Sequence, residues 1–136
     1  MRRLISVAVA LLVAVSAGWL WGASGRWSIE RAQQASELRQ ELVEGRSAVL
    51  DARVALYSVN FGEASGHLEN ARAVLRRAEE RLKNGGRDAE AKRVQTALAG
   101  IDDAQRMAGK LDQNANSRAG EVAKIIADVL EAHVRP

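Results

Sequence analysis

The sequence predicts an all-α protein in which a single N-terminal transmembrane helix (residues 1–27) leads into an antiparallel bundle of three or four helices (residues 28–136). Three observations predict it. Leu4 to Ser24 is a run of 21 residues without a charge; the one proline of the chain is Pro136, while alanine, leucine, glutamate and arginine dominate beyond Trp27; and apolar residues there recur at alternating intervals of three and four. The first is the length needed to span roughly 30 Å of hydrocarbon at 1.5 Å per residue. The second favours helix over strand. The third is the periodicity of bundle and coiled-coil seams.

The uncharged run follows Arg2 and Arg3 and precedes Arg26. Its rival reading is a cleaved secretory signal with Val15-Ser16-Ala17 at the cleavage site. Apolarity continues past that point through Trp19, Leu20 and Trp21, and Trp19, Trp21 and Trp27 stand where an interfacial aromatic belt would lie, so an uncleaved anchor is expected. Ser6, Ala10, Ala14, Gly18 and Gly22 recur every four residues and share one helix face. In lipid, helices associate by close backbone approach through such small residues, so this face is the expected membrane-helix packing surface. Basic residues flank both sides of the run. The short basic head directly before it predicts a cytoplasmic N-terminus and an exported C-terminal domain, on the pattern of a single-pass protein of a bacterial inner membrane.

Beyond the anchor, a helix is expected from Ser28, carrying the ladder Ala35, Leu38, Leu42, Gly45, Val49, Ala52, Leu56, Val59, with Gly45 as its weak point. A second ladder, Tyr57, Phe61, Ala64, Leu68, Ala71, Leu75, Ala78, Leu82, is displaced from the first by one residue. Ser58, Asn60 and Gly62 lie at the break, which is read as a turn rather than a continuous helix. Lys83-Asn84-Gly85-Gly86 is a clearer stop, with an Asn-Gly pair able to take positive φ and Asp88 available to cap the next helix, so a hairpin turn is expected near 84–87. The third ladder is Val94, Ala97, Ile101, Ala104, Ala108, Leu111, Ala115. Its small side chains predict close helix approach. Asp112 to Ser117 reads as a polar turn, and a last helix from Ser117 to His133 presents Val122, Ile126, Val129 and His133, with Ala123, Leu130 and Val134 beside them. A core this rich in alanine gains less than the roughly 1.5 to 3 kcal/mol per residue of buried Leu or Ile, which points to stabilisation by a partner or by self-association.

The formal charge is +3. Setting aside Arg2 and Arg3 leaves 18 basic against 17 acidic residues, interspersed, so no basic patch points to nucleic acid. With no cysteine there is no disulfide, thiol nucleophile or thiolate metal site. The two histidines, His67 and His133, stand apart. A metal or haem site joining either to Met107, Glu63 or Glu69 lacks the inward Glu and Glu-x-x-His pairs of a di-iron bundle, and Glu63 with His67 reads as an i, i+4 surface pair. Gly62, Gly66, Gly85 and Gly86 form no phosphate loop, and no Ser, His and acid constellation suggests a nucleophile. Glu37 with Glu41, Arg72 with Arg76, Arg76 with Glu80 and Asp102 with Arg106 read as solvated helix faces. No catalytic residue, cofactor or metal is expected.

The segment Asn60-Phe61-x-x-Ala64-x-x-x-Leu68-x-x-Ala71 resembles the second half of a tetratricopeptide repeat over about a dozen residues. Asp51 stands where that family has a large apolar residue, its closing proline is missing, and no copy follows at a period of about 34 residues. The resemblance implies an antiparallel helical hairpin and, if function followed, peptide binding. Two functional classes emerge. One is a non-enzymatic structural or accessory subunit whose partners are the lipid bilayer and other membrane helices or a second copy of itself. The other is a periplasmic helical module that binds a peptide or a metal ion.

Overall fold

The computed structural model describes residues 32–134, the last two by backbone only, and shows four helices and no strand among them. They are α1 (32–57), α2 (Phe61–Asn84), α3 (Asp88–Gly109) and α4 (Asn114–Val134). The bundle is one compact unit from Glu37 onward. Neighbouring helices run antiparallel. Glu41 of α1 meets Arg77 and Arg81 of α2, Arg72 of α2 meets Asp102 of α3, and Asp103 of α3 meets Arg118 of α4. Arg53 Nε near the end of α1 donates to Asn116 Oδ1 near the start of α4 at 3.0 Å, so α1 also borders α4 and the ring of helices closes. No helix among the described residues is long and apolar enough to cross a membrane. The expected anchor, with Ser6, Ala10, Ala14, Gly18, Gly22, Trp19, Trp21 and Trp27, lies outside the described residues, as does Ser28.

The ladders find the core, except at their ends. Leu38, Leu42, Val49, Ala52 and Leu56 of α1, and Ala64, Leu68, Ala71, Leu75, Ala78 and Leu82 of α2, are buried. Their alternation of Ala and Leu along α2 repeats the i, i+4, i+7 spacing of one helix face. On α3 the buried set is Val94, Ala97, Ile101, Ala104 and Ala108, joined by Ala91 and Gly100; on α4 it includes Ala115, Ala119, Val122, Ile126 and Val129. Ala35, Tyr57, Val59 and Leu111, which spacing alone assigns to seams, are exposed instead. At Tyr57, Val59 and Leu111 a ladder drawn by counting runs straight through a chain reversal, whereas Ala35 lies in the first turn of α1, ahead of its first buried residue, Leu38.

Three helix ends share one hydrogen-bond pattern. Asn60 N–H donates to Ala55 O and Val59 N–H to Leu56 O; Arg87 N–H donates to Leu82 O and Gly86 N–H to Lys83 O; Asp112 N–H donates to Met107 O and Leu111 N–H to Ala108 O. These are Schellman endings, in which the residue after the helix takes a left-handed conformation. That residue is Val59 (φ 60°), Gly86 (φ 70°) and Leu111 (φ 57°) in turn. The expected turn near 84–87 is therefore present, but Gly86 and not the Asn84-Gly85 pair carries the positive φ. The break at 57–62 is a turn, as its polar residues suggest. α4 begins at Asn114, three residues before the expected start, because Asp112 Oδ1 accepts from Asn114 N–H at 2.9 Å and opens the helix there. This places Ala115 in the core of α4 and not at the end of α3.

One cap also differs from expectation. Asp88 is the first helical residue and Arg87 the cap, with no side-chain capping bond; Arg87 pairs with Glu90 at 2.8 Å instead. At the start of α2, Asn60 Oδ1 accepts from Glu63 N–H at 3.3 Å while its Nδ2 donates to Glu63 Oε2 at 2.6 Å, a reciprocal lock close to a capping box. Glu63 is thus a capping residue first. His67 Nε2 lies 3.8 Å from its other oxygen, beyond hydrogen-bonding range.

Candidate interaction surface

An interaction surface is what a helix leaves uncovered once its core and its seams are satisfied. Each of the four seams here is closed by apolar contact inside and an arginine at its rim. Between α1 and α2, Arg81 Nη1 lies 2.7 Å from Glu37 and its Nε 3.0 Å from Glu41, while Arg77 Nε is 3.5 Å from Glu41. Glu41 is the one charged residue among the described core positions, and it meets Arg81 at contact distance without good hydrogen-bond alignment at Oε2. The two acids hold the Arg81 guanidinium above its ordinary pKa, mainly through Glu41. Glu37 and Glu41 are therefore seam residues, a correction to their reading as a solvated face.

Between α2 and α3, Arg72 bridges Asp102 at 2.7 Å and Glu69 at 3.1 Å and also donates to Gln105, which in turn donates to Glu69 at 3.1 Å. Arg72 and Asp102 likewise belong to a seam. Between α3 and α4, Asp103 accepts from Arg118 at 2.9 Å and from Arg106, and these bonds hold its carboxyl below the usual range. Spacing along one helix accounts for Arg72 with Glu69 and Asp103 with Arg106, whereas Arg72 with Asp102 and Asp103 with Arg118 sit on neighbouring helices, and only the antiparallel register brings those together. The fourth seam uses Arg53, whose guanidinium rests on α4 over Gly120, where a β-carbon would lie 3.3 Å from Cζ.

Backbones approach closely where side chains are missing. A β-carbon on Gly45 would fall 2.8 Å from Leu75 Cδ2, so this glycine is the socket for a fully buried leucine and not a weak point of the seam. The small residues of α3 do permit close approach, and Gly100 against Val122 is its tightest instance.

With the seams filled, the large apolar side chains left exposed among the described residues are Val43, Val54, Tyr57, Val59 and Leu111. Three of them are on α1. Val59 and Leu111 occupy the two left-handed turns at one end of the bundle, α1 to α2 and α3 to α4. Strained apolar residues held in water point to a surface used for contact.

Ligand chemistry has less to work with. No group of three or more potential metal-ligating side chains gathers among the described residues. Met107 is partly buried against the core, Glu69 is committed to the α2–α3 network, and His67 stands with Glu63 alone. Of the residues that carry the tetratricopeptide resemblance, Ala64, Leu68 and Ala71 are fully buried inside the protein's own bundle, with Phe61 packed beside them. The pattern marks a helical hairpin. No protein-family model, curated protein or solved structure matches the chain.

Proposed function

We propose that this chain is a non-enzymatic, single-pass protein of a bacterial inner membrane that serves as a structural or accessory subunit, with its N-terminus in the cytoplasm and its helical bundle in the periplasm. The observation that carries the reading is the uncharged run Leu4 to Ser24 with Ser6, Ala10, Ala14, Gly18 and Gly22 along one face. A helix of that kind inserts by its apolar residues and docks on other membrane helices by its small ones. The bundle supports the same reading from outside the membrane, because Arg81, Arg72 and Arg118 with their acids close helix seams while Val43, Val54 and Tyr57 of α1 stay uncovered.

The test has two parts. The intact mass should correspond to the uncleaved chain, and the protein should stay with membranes through a carbonate wash; a mature chain starting at Gly18, recovered in the soluble periplasm, would replace the anchor with a signal. Within the membrane, Gly18→Ile and Gly22→Ile add bulk where backbones should approach, while Leu12→Ile, off the stripe, is the control. Association should fall in the glycine variants while insertion persists. Equal association in all three would leave the stripe as composition alone and remove the main support for a subunit role.

A further inference from the structure

Helix α1 carries two seams. The inner one, through Leu38, Leu42, Val49, Ala52 and Leu56, is buried in the bundle. On the opposite face, Gln40, Val43, Ser47, Leu50, Val54 and Tyr57 follow one another at intervals of three, four, three, four and three. That is a coiled-coil repeat over two and a half heptads, and its apolar residues other than Leu50 face outward: Val43 is 51% exposed, Val54 68% and Tyr57 83%, while Leu50 at the edge of the stripe is partly buried against the bundle's own core. In heptad terms Val43, Leu50 and Tyr57 take the d position, and Gln40, Ser47 and Val54 take a.

The residues flanking this stripe sort by sign. Arg39, Arg46 and Arg53 stand at the three g positions and Glu37, Glu44 and Asp51 at the three e positions. Arg53 and Glu37 are used inside the bundle by Asn116 and Arg81. Arg39, Glu44, Arg46 and Asp51 are all exposed and make no ion pair within the described residues. In a parallel, in-register pair of such helices, each g residue meets the e residue five positions on in its partner. Arg39 would then face Glu44 of a second copy and Arg46 its Asp51, four attractive pairs in all by symmetry. In an antiparallel pair g meets g and e meets e, which sets arginine against arginine and acid against acid. The charges therefore select both the partner and its direction.

We propose that the outer face of α1 is the dimerisation surface of this protein, a parallel in-register helix pair between two copies of the chain. The stripe supplies the apolar contact, and Gln40 and Ser47 at a positions favour the aligned register, since polar a residues trade stability for specificity. An isologous contact about a two-fold axis follows, the commonest form of homo-oligomer. The proposal rests on the subunit reading for bringing copies together in one membrane, and names the partner of the extramembrane bundle.

The absence of cysteine from the chain makes the test direct. Val43→Cys, Leu50→Cys and Val54→Cys are introduced singly into the full chain, with the exposed Glu80→Cys on α2 and Gln95→Cys on α3 as controls, and membranes are treated with a mild oxidant. All three α1 variants should form disulfide-linked homodimers, at least tenfold more than the controls. In an antiparallel pair centred near Leu50, two copies of residue 43 would stand about 20 Å apart, well beyond disulfide reach, so linking at Leu50 alone would overturn the parallel arrangement. Equal linking at seam and control positions would overturn the surface itself. A second arm adds Glu44→Arg with Asp51→Arg in one copy and Arg39→Glu with Arg46→Glu in another, each carrying Val43→Cys. Each alone should lose most of its cross-linking, and the two co-expressed should regain it; failure to regain it would overturn the charge pairing. Membrane fractionation of the same samples reports the anchor separately, so retention in membranes without seam cross-links defeats the dimer alone.

Discussion

Gly100 of α3 lies so close beneath Val122 of α4 that a β-carbon on residue 100 would fall 2.5 Å from Val122 Cγ2. Val122 is almost fully buried, so its methyl group has no solvent to turn into. The α3–α4 seam thus depends on a missing side chain as much as on those present. Gly100→Ala should destabilise the bundle by about 1–2 kcal/mol, overpacking outweighing a helix-propensity gain of about 1 kcal/mol. That loss should shrink in a Val122→Ala background, since the two residues couple through one contact. Gly66→Ala, at an exposed position of α2 where a β-carbon meets nothing, should instead stabilise by about 0.5–1 kcal/mol. Denaturant melts of the four variants check this, and a neutral Gly100→Ala would show that the seam yields.

Val59 is a β-branched residue held at φ 60°, in a Schellman ending that Gly86 occupies without strain at the opposite end of α2. Left-handed backbone costs a residue with a β-carbon about 1–2 kcal/mol, and its side chain here recovers little because it is 61% exposed. Val59→Gly should therefore stabilise the bundle by about 0.5–1 kcal/mol, the relief of strain exceeding the added flexibility of the unfolded chain. Gly86→Val should cost more than Val59→Gly gains. Thermal melts decide it, and a destabilised Val59→Gly would mean that the valine side chain holds the turn.

Asp103 is bonded by Arg118 and Arg106, and Glu90 by Arg87, and both carboxyls are held below their ordinary pKa by those bonds first of all. In the unfolded chain each returns to its usual value, about 4. Between that value and the lower folded one, the unfolded state binds more protons, so stability rises with pH through the window and is lost as pH falls through the folded values. Arg118→Gln should move the Asp103 titration, followed by carboxyl NMR, back toward the ordinary range and flatten the acid limb of stability against pH. An unmoved titration would assign the effect to Arg106.

The all-helical class, the turn near 84–87 and most of the buried positions are legible in the sequence, because each is a local property. Periodicity of three and four residues places Leu42, Leu68, Leu75 and Ile101 on one side of their helices whatever those helices pack against. A pair of glycines after a basic last turn ends a helix wherever it lies. The stripe Ser6 to Gly22 is equally local, and its role is a matter for the membrane experiments above.

Assembly decided the rest, since the missing information was long-range. Glu41 looks like one more charge on a polar face until α2 places Arg77 and Arg81 beside it; Gly45 looks like a defect until Leu75 fills its place; Tyr57 heads the α2 ladder by spacing until the chain reversal at 58–60 leaves it on α1. In each case the energy of the residue comes from an atom thirty or more positions away or from a turn that cancels the helical count, and a single chain read along its length contains the periodicity but not the register between helices. The outer stripe of α1 shows both sides of this. Its heptad spacing is written in the sequence, but that the stripe faces away from the bundle follows from α2 and α4 packing against the opposite side of the helix.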